Sequence, residues 1–182
     1  MMESRAKVLG HPVHPMLVVL PLGLLTTAVL FDLAFLVGED PIFAEVAFWN
    51  VAAGIVGGAL AAVFGFWDYQ AIPAGTRAKA IGLWHGSANV CVLLLFATSL
   101  ALRLGAPSHA PDTTAFVLGL GGLVLAALAG WLGGELVDRL GVGVDPGAHL
   151  NAPSSLSGLP ADATAGTWSG VERRAALRNR EV

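Results

Sequence analysis

The sequence predicts an all-α membrane protein, an antiparallel, up-down bundle of four transmembrane helices with both termini cytoplasmic. Three observations lead there. Of 182 residues, 55% are hydrophobic and only 13% are charged, and the mean hydropathy of +0.70 lies far above that of an ordinary soluble domain. Four stretches, Pro15–Val37, Val46–Trp67, Ala80–Leu102 and Thr113–Gly134, each supply the roughly 20 apolar residues that the hydrocarbon layer demands. The connections between them are short, which makes consecutive helices antiparallel neighbours.

Taken in order, the first span opens on His11-Pro12-Val13-His14-Pro15. Pro15 falls in a first turn, where a helix tolerates proline, and Pro21 predicts a kink further in. Arg5 and Lys7 precede this span as they would a secretory signal, but the apolar region is too long and no small-x-small site closes it, so a retained helix is expected. Gly54-x3-Gly58 in the second span, Gly82-x3-Gly86 in the third and Gly130-x3-Gly134 in the fourth predict close helix approach. Residues 1–140 thus form the four-helix domain. Residues 141–182 are expected to be a loosely ordered cytoplasmic tail, because Gly141–Gly170 is rich in Gly, Pro, Ala, Ser and Thr and cannot bury a core. Val171–Val182 is expected as a short basic helix on the membrane surface.

Short loops orient the bundle through their basic residues. Arg5 and Lys7, then Arg77 and Lys79, then Arg139, Arg173, Arg174, Arg178 and Arg180 all fall on one side, which is expected to be cytoplasmic. The first connection holds Glu39, Asp40 and Glu45 and belongs outside, which leaves Arg103 as the one base on the wrong side. Trp49, Trp67, Trp84 and Trp131 lie near span ends and are expected to anchor the lipid interface. A net charge of -3 gives no support for a nucleic-acid partner. The single cysteine, Cys91, excludes an intrachain disulfide and is expected to be a small core residue. His109 and His149 are expected to be solvated.

Polar residues within the spans are costly unless they face a partner or the bundle interior. They recur on helical stripes: His14 to Asp32 in the first span, Asn50 to Asp68 in the second and His85 to Arg103 in the third, each pair 18 residues apart. Eighteen residues are five turns, or roughly 27 Å. Antiparallel threading sorts them into two layers. The outer one holds Asp32, Asn50 and Arg103, expected to be a structural ion pair completed by Asn50, with a role in moving a proton or anion as the alternative. The inner one holds His14, Asp68 and His85, with His11 nearby, Glu135 from the fourth span and Asn89 one turn deeper than His85.

Several chemistries fit the inner layer. His14 and His85 are placed to ligate haem b axially from facing helices. Alternatively, His11, His14 and His85 with Asp68 or Glu135 suit a divalent metal, or a His–Asp pair shuttles protons. The remaining alternative is structural, with the histidines only fixing helix packing.

The His-Pro-x-His-Pro opening, Asp32, Trp67-Asp68-Tyr69, His85 and Gly133-Gly134-Glu135-Leu136-Val137 followed by Gly141-Val142-Gly143-Val144 together resemble the bacterial membrane domain DUF2231, over about residues 9 to 144. The resemblance implies a four-helix protein of the bacterial inner membrane. Occasional fusion of such domains to Rieske-type iron–sulfur domains implies electron transfer and a redox partner. This chain has Asp138 and Leu140 where relatives often carry an aromatic residue and a further His, so no role of that His carries over. The function expected first is a haem-b-binding electron-transfer module with one haem near the cytoplasmic face. The alternative is a non-catalytic membrane subunit or scaffold. No nucleophile–base spacing or phosphate loop marks an independent enzyme.

Overall fold

The structure, a computed structural model, describes residues 2–163. The expected terminal helix and its four arginines lie outside the described residues. Four crossings are long and apolar enough to span a membrane, which agrees with the sequence. The first consists of α1 (Val13–Leu17) and α2 (Val19–Gly38), broken at Val18. Pro21 explains the break, since it has no N–H to offer the carbonyl four residues back at Leu17. The second crossing is α3 (Pro41–Ala71), the third α4 (Arg77–Arg103) and the fourth α5 (Thr113–Gly134), which runs on into a π-helical turn at Glu135–Arg139.

These helices overrun the apolar windows at several ends because polar caps start them. Asp40 accepts the Ile42 N–H ahead of Pro41, Thr76 accepts the Lys79 N–H, and Asp112 accepts the Ala115 N–H. Each satisfies a donor that an uncapped helix start leaves free.

Leu25, Ala28, Val29, Val51, Val92 and Phe96 form the core. Leu22, Leu33, Val56, Val63, Leu94 and Val124 point outward, the pattern of a bundle solvated by lipid. Cys91 points outward too. The expectation of a core cysteine is corrected here: Val92, the next residue, holds the inward position on α4, and one residue's rotation of 100° carries Cys91 to the surface.

The buried positions repeat. Adding 71 to Leu25, Ala28 and Asp32 of α2 gives Phe96, Ser99 and Arg103 of α4, all buried. Adding 68 to Ala47, Val51, Gly54 and Ala61 of α3 gives Ala115, Gly119, Gly122 and Ala129, which are the buried residues of α5.

One end of the bundle carries a cap that the sequence did not announce. Strands β1 (Lys7–Val8) and β2 (His11–Pro12) form an antiparallel hairpin. Its turn is Leu9-Gly10, with φ of 51° and 82° as a two-residue hairpin turn requires. Met2 bridges Val142 in parallel, and the Lys7 ammonium pairs with the Asp145 carboxylate. Residues 141–163 contain turns and one 3-10 turn at Ser155–Ser157, and they lie against this hairpin.

Candidate functional site

His14 of α1 and His85 of α4 face each other, their ring centres 6.2 Å apart and their planes at 88°. Each ring is fixed in the same way. His14 Nδ1 lies 2.8 Å from the Ala61 carbonyl of α3, and His85 Nδ1 lies 2.8 Å from the Ala129 carbonyl of α5. A carbonyl only accepts, so each Nδ1 carries the proton, and a neutral ring then has its lone pair on Nε2.

Glycine makes room for both rings. A Cβ at Gly65 would lie 2.8 Å from His14 Cε1, and one at Gly133 would lie 3.1 Å from His85 Cε1. Each glycine stands four residues, about one turn, beyond the carbonyl that holds the ring. Asn89, one turn along α4, donates to the His85 carbonyl at 2.8 Å, and its Nδ2 lies 3.4 Å from His85 Nε2.

The other members of the expected inner layer are engaged elsewhere. Asp68 accepts the Ser4 hydroxyl at 2.7 Å and the main-chain N–H groups of Arg5 at 2.7 Å and Ala6 at 3.4 Å. Glu135 pairs with Arg77 at 2.6 Å. His11 Nε2 stands 3.4 Å from the Ser155 hydroxyl, on the hairpin. Among the described residues no three His, Cys, Asp or Glu side chains come close enough to hold a metal ion. The set His11, His14, His85, Asp68 and Glu135 is therefore not gathered. The sequence placed these residues at one depth, but depth does not fix azimuth, and the N-terminal cap claims Asp68.

At the opposite end Arg103 and Asp32, each only 1% exposed, form a two-pronged pair with both N–O distances 2.6 Å. Charge-assisted and bidentate, it is among the stronger kinds of hydrogen-bonded contact. It also explains the arginine on the wrong side of the charge pattern. Asn50 does not complete this layer, contrary to expectation; it donates to Thr27 Oγ1 at 3.1 Å instead. Ser99 joins it: its hydroxyl accepts from Arg103 at 3.0 Å and donates to the Ala115 carbonyl at 2.7 Å, while Arg103 Nε is buried without a partner among the described residues. Ser99 already stood on the α4 stripe, four residues before Arg103, and that spacing was the available signal.

His109 is a second correction. Expected in solvent, it packs edge-on against Phe48 with ring centres 3.9 Å apart, and its Nδ1 is buried without a partner among the described residues. His149 is exposed, as expected. Trp49, Trp67, Trp84 and Trp131 are all exposed on the bundle surface near helix ends.

Two surface hollows lie outside the histidine pair. One is lined by Trp131, Gly134, Glu135, Asp138 and Arg139, the other by residues of the hairpin and of the segment after α5, including His11, Asp145 and Ser155. Neither includes His14 or His85.

No curated protein and no solved structure matches this chain. A family model described as a predicted membrane protein matches residues 10–146, Gly10 of the hairpin turn through Pro146, and so covers every residue of the histidine pair and of the ion pair. The chain belongs to that family, DUF2231.

Proposed function

We propose that this membrane protein is a haem-b-binding electron-transfer module in which His14 and His85 would hold the haem iron. One observation carries the proposal: two imidazoles on facing helices each spend Nδ1–H on a main-chain carbonyl, which leaves two Nε2 lone pairs at ring centres 6.2 Å apart. Two rings binding one metal through nitrogen at about 2 Å would have their centres at most roughly 6 Å apart. The donor set, two imidazoles each with Nδ1–H held by a main-chain carbonyl, is of the kind that would hold a haem iron.

In this role the Ala61 and Ala129 carbonyls fix tautomer and ring orientation, as the outer partners of ligating histidines do. Gly65 and Gly133 let the rings lie directly against α3 and α5. The apolar helix walls lower the local dielectric and so bear on potential. Haem held there would supply a one-electron carrier, and an iron–sulfur or other redox protein is the class of partner that would exchange electrons with it.

Charge supports the orientation. Arg5, Lys7, Arg77, Lys79 and Arg139 cluster at the end that bears the histidines, and Glu39, Asp40 and Glu45 at the other, so we assign the histidine end to the cytoplasmic side of a bacterial inner membrane.

A specific observation favours the alternative, a scaffold with no cofactor. The same two hydrogen bonds and glycine notches lock helix pairs together unaided, and neither surface hollow reaches the rings.

Visible spectra of detergent-purified protein, expressed with haem available, decide between them. The expected result is a Soret band with sharpened reduced bands, lost in His14→Ala and in His85→Ala but kept in Asn50→Ala. Folded wild-type protein without that band overturns the haem proposal and leaves the scaffold.

A further inference from the structure

The buried positions of the two helix hairpins coincide, and so do their contacts. His14 against the Ala61 carbonyl and Gly65 becomes, by the same shifts of 71 and 68, His85 against the Ala129 carbonyl and Gly133. Gly54, whose Cβ would strike Leu25 at 2.6 Å, becomes Gly122, whose Cβ would strike Phe96 at 2.8 Å. Ala28 and Ser99, both wholly buried, correspond as well. A shared hydrophobic period alone produces matching stripes. It does not produce matching partners across two helices.

We infer that α1–α3 and α4–α5 are two copies of one membrane hairpin, packed face to face about an approximate two-fold axis, and that Asp32 and Arg103 are the recognition pair that makes unlike hairpins join. Equivalent residues of a two-fold pair meet each other near the axis. His14 meets His85 at one end and Asp32 meets Arg103 at the other. At the histidine end the copies remain alike. At the other they have become opposite charges, both buried.

That divergence has a consequence for partner choice. Were hairpin α1–α3 to pack on the same hairpin of a second chain, Asp32 would oppose Asp32, and two α4–α5 hairpins would oppose Arg103 with Arg103. Like charges buried together are strongly unfavourable, so the surface rejects its own copy and accepts its complement. The complement exists within the chain and equally in a second copy of it. Ile72 through Thr76, the short connection between α3 and α4, is the hinge that hairpin exchange would open. None of this rests on haem.

Full-length chains test it. Asp32→Arg gives two arginines and Arg103→Asp gives two aspartates, and each alone is expected to lose on the order of a hundredfold in the folding equilibrium. Asp32→Arg/Arg103→Asp in one chain is expected to melt near wild type. Differently tagged Asp32→Arg and Arg103→Asp chains, expressed together, are expected to co-purify well above a wild-type pair tagged the same way, because each supplies the charge that the other lacks. Asp32→Leu/Arg103→Leu removes the discrimination without burying a lone charge, and its two-chain fraction is expected to rise. A double reversal that fails to recover, or co-purification no greater than the wild-type pair, or a two-chain fraction unchanged by the leucine pair, overturns the inference.

Discussion

At the residue scale, glycine decides how near the histidines come to their helices. Gly65 and Gly133 occupy the notches against which the rings lie, and a methyl at Gly65 would sit 2.8 Å from His14 Cε1. Gly65→Ala must displace either a ring held by a hydrogen bond or the helix behind it, and overpacking of this kind costs about 1–3 kcal/mol. Gly86 and Gly130 have nothing within 4 Å of a built Cβ. Alanine there is expected to raise stability by about 0.5–1 kcal/mol through helix propensity. Thermal unfolding in one detergent reads both signs, and a Gly65→Ala protein as stable as Gly86→Ala would remove the notch from the account. Asn89 makes the two rings unequal: the corresponding residue in the first copy is Val18, which has no donor for a ring nitrogen. On the proposed haem role, Asn89 would compete for the His85 lone pair, and Asn89→Val is expected to strengthen haem binding about threefold to tenfold, the worth of one net hydrogen bond, in a titration followed at the Soret band. Unchanged affinity would mean that Asn89 only caps its own carbonyl.

At the element scale, the cap residues Asp40, Thr76 and Asp112 all stand exposed at helix starts. Asp112 holds the Ala115 N–H at 2.7 Å at the start of α5, and Asp112→Ala is expected to cost about 1 kcal/mol, read as a lowered unfolding midpoint; Asp112→Asn, which keeps an acceptor, is expected to cost much less. The four helices were legible in the sequence because a span of roughly 20 apolar residues has few other uses. Their faces were legible too: Val92, Phe96, Ser99 and Arg103 are the buried residues on the α4 stripe, and Asp32 ends the buried stripe of α2. What the stripes could not give was azimuth between helices. Asn50 shares a stripe with Gly54 and Ala61, yet it stands at the edge that meets Thr27 rather than the edge that meets Arg103. The hairpin at Lys7–Pro12 was illegible for another reason. Two strands of two residues carry no periodicity, and their stability comes from docking against residues far along the chain. The repeat was present in the numbering of His14, His85, Asp32 and Arg103, but only burial and shared partners separate it from coincidence.

At the scale of the whole molecule, the cap ties the segment ahead of the family domain to α3 and to that domain's last residues, over the histidine end of the bundle. Asp68 at the end of α3 holds the Ser4 hydroxyl and the Arg5 and Ala6 amides, Met2 pairs with Val142, and Lys7 pairs with Asp145 across the hairpin. The hydrogen bond from Lys7 to Asp145 raises the Lys7 pKa above its ordinary value; partial burial opposes this, and the charges of Asp145 and Glu3 add to it. A lysine whose folded pKa is raised lends stability that is fully present below its unfolded pKa of about 10.4 and is lost as pH rises through the higher folded value. The cap should therefore hold evenly from neutral pH to about pH 10 and loosen only above it. Cleavage of the N-terminal segment by an alkaline-tolerant protease measures this directly, since cutting requires the hairpin to lift from the bundle. Wild-type protein is expected to show a flat cleavage rate that climbs above about pH 10, whereas Lys7→Gln and Asp145→Asn cut faster throughout and lose the alkaline rise. A rise between pH 5 and 8 in the wild type would take the latch away from the Lys7–Asp145 pair.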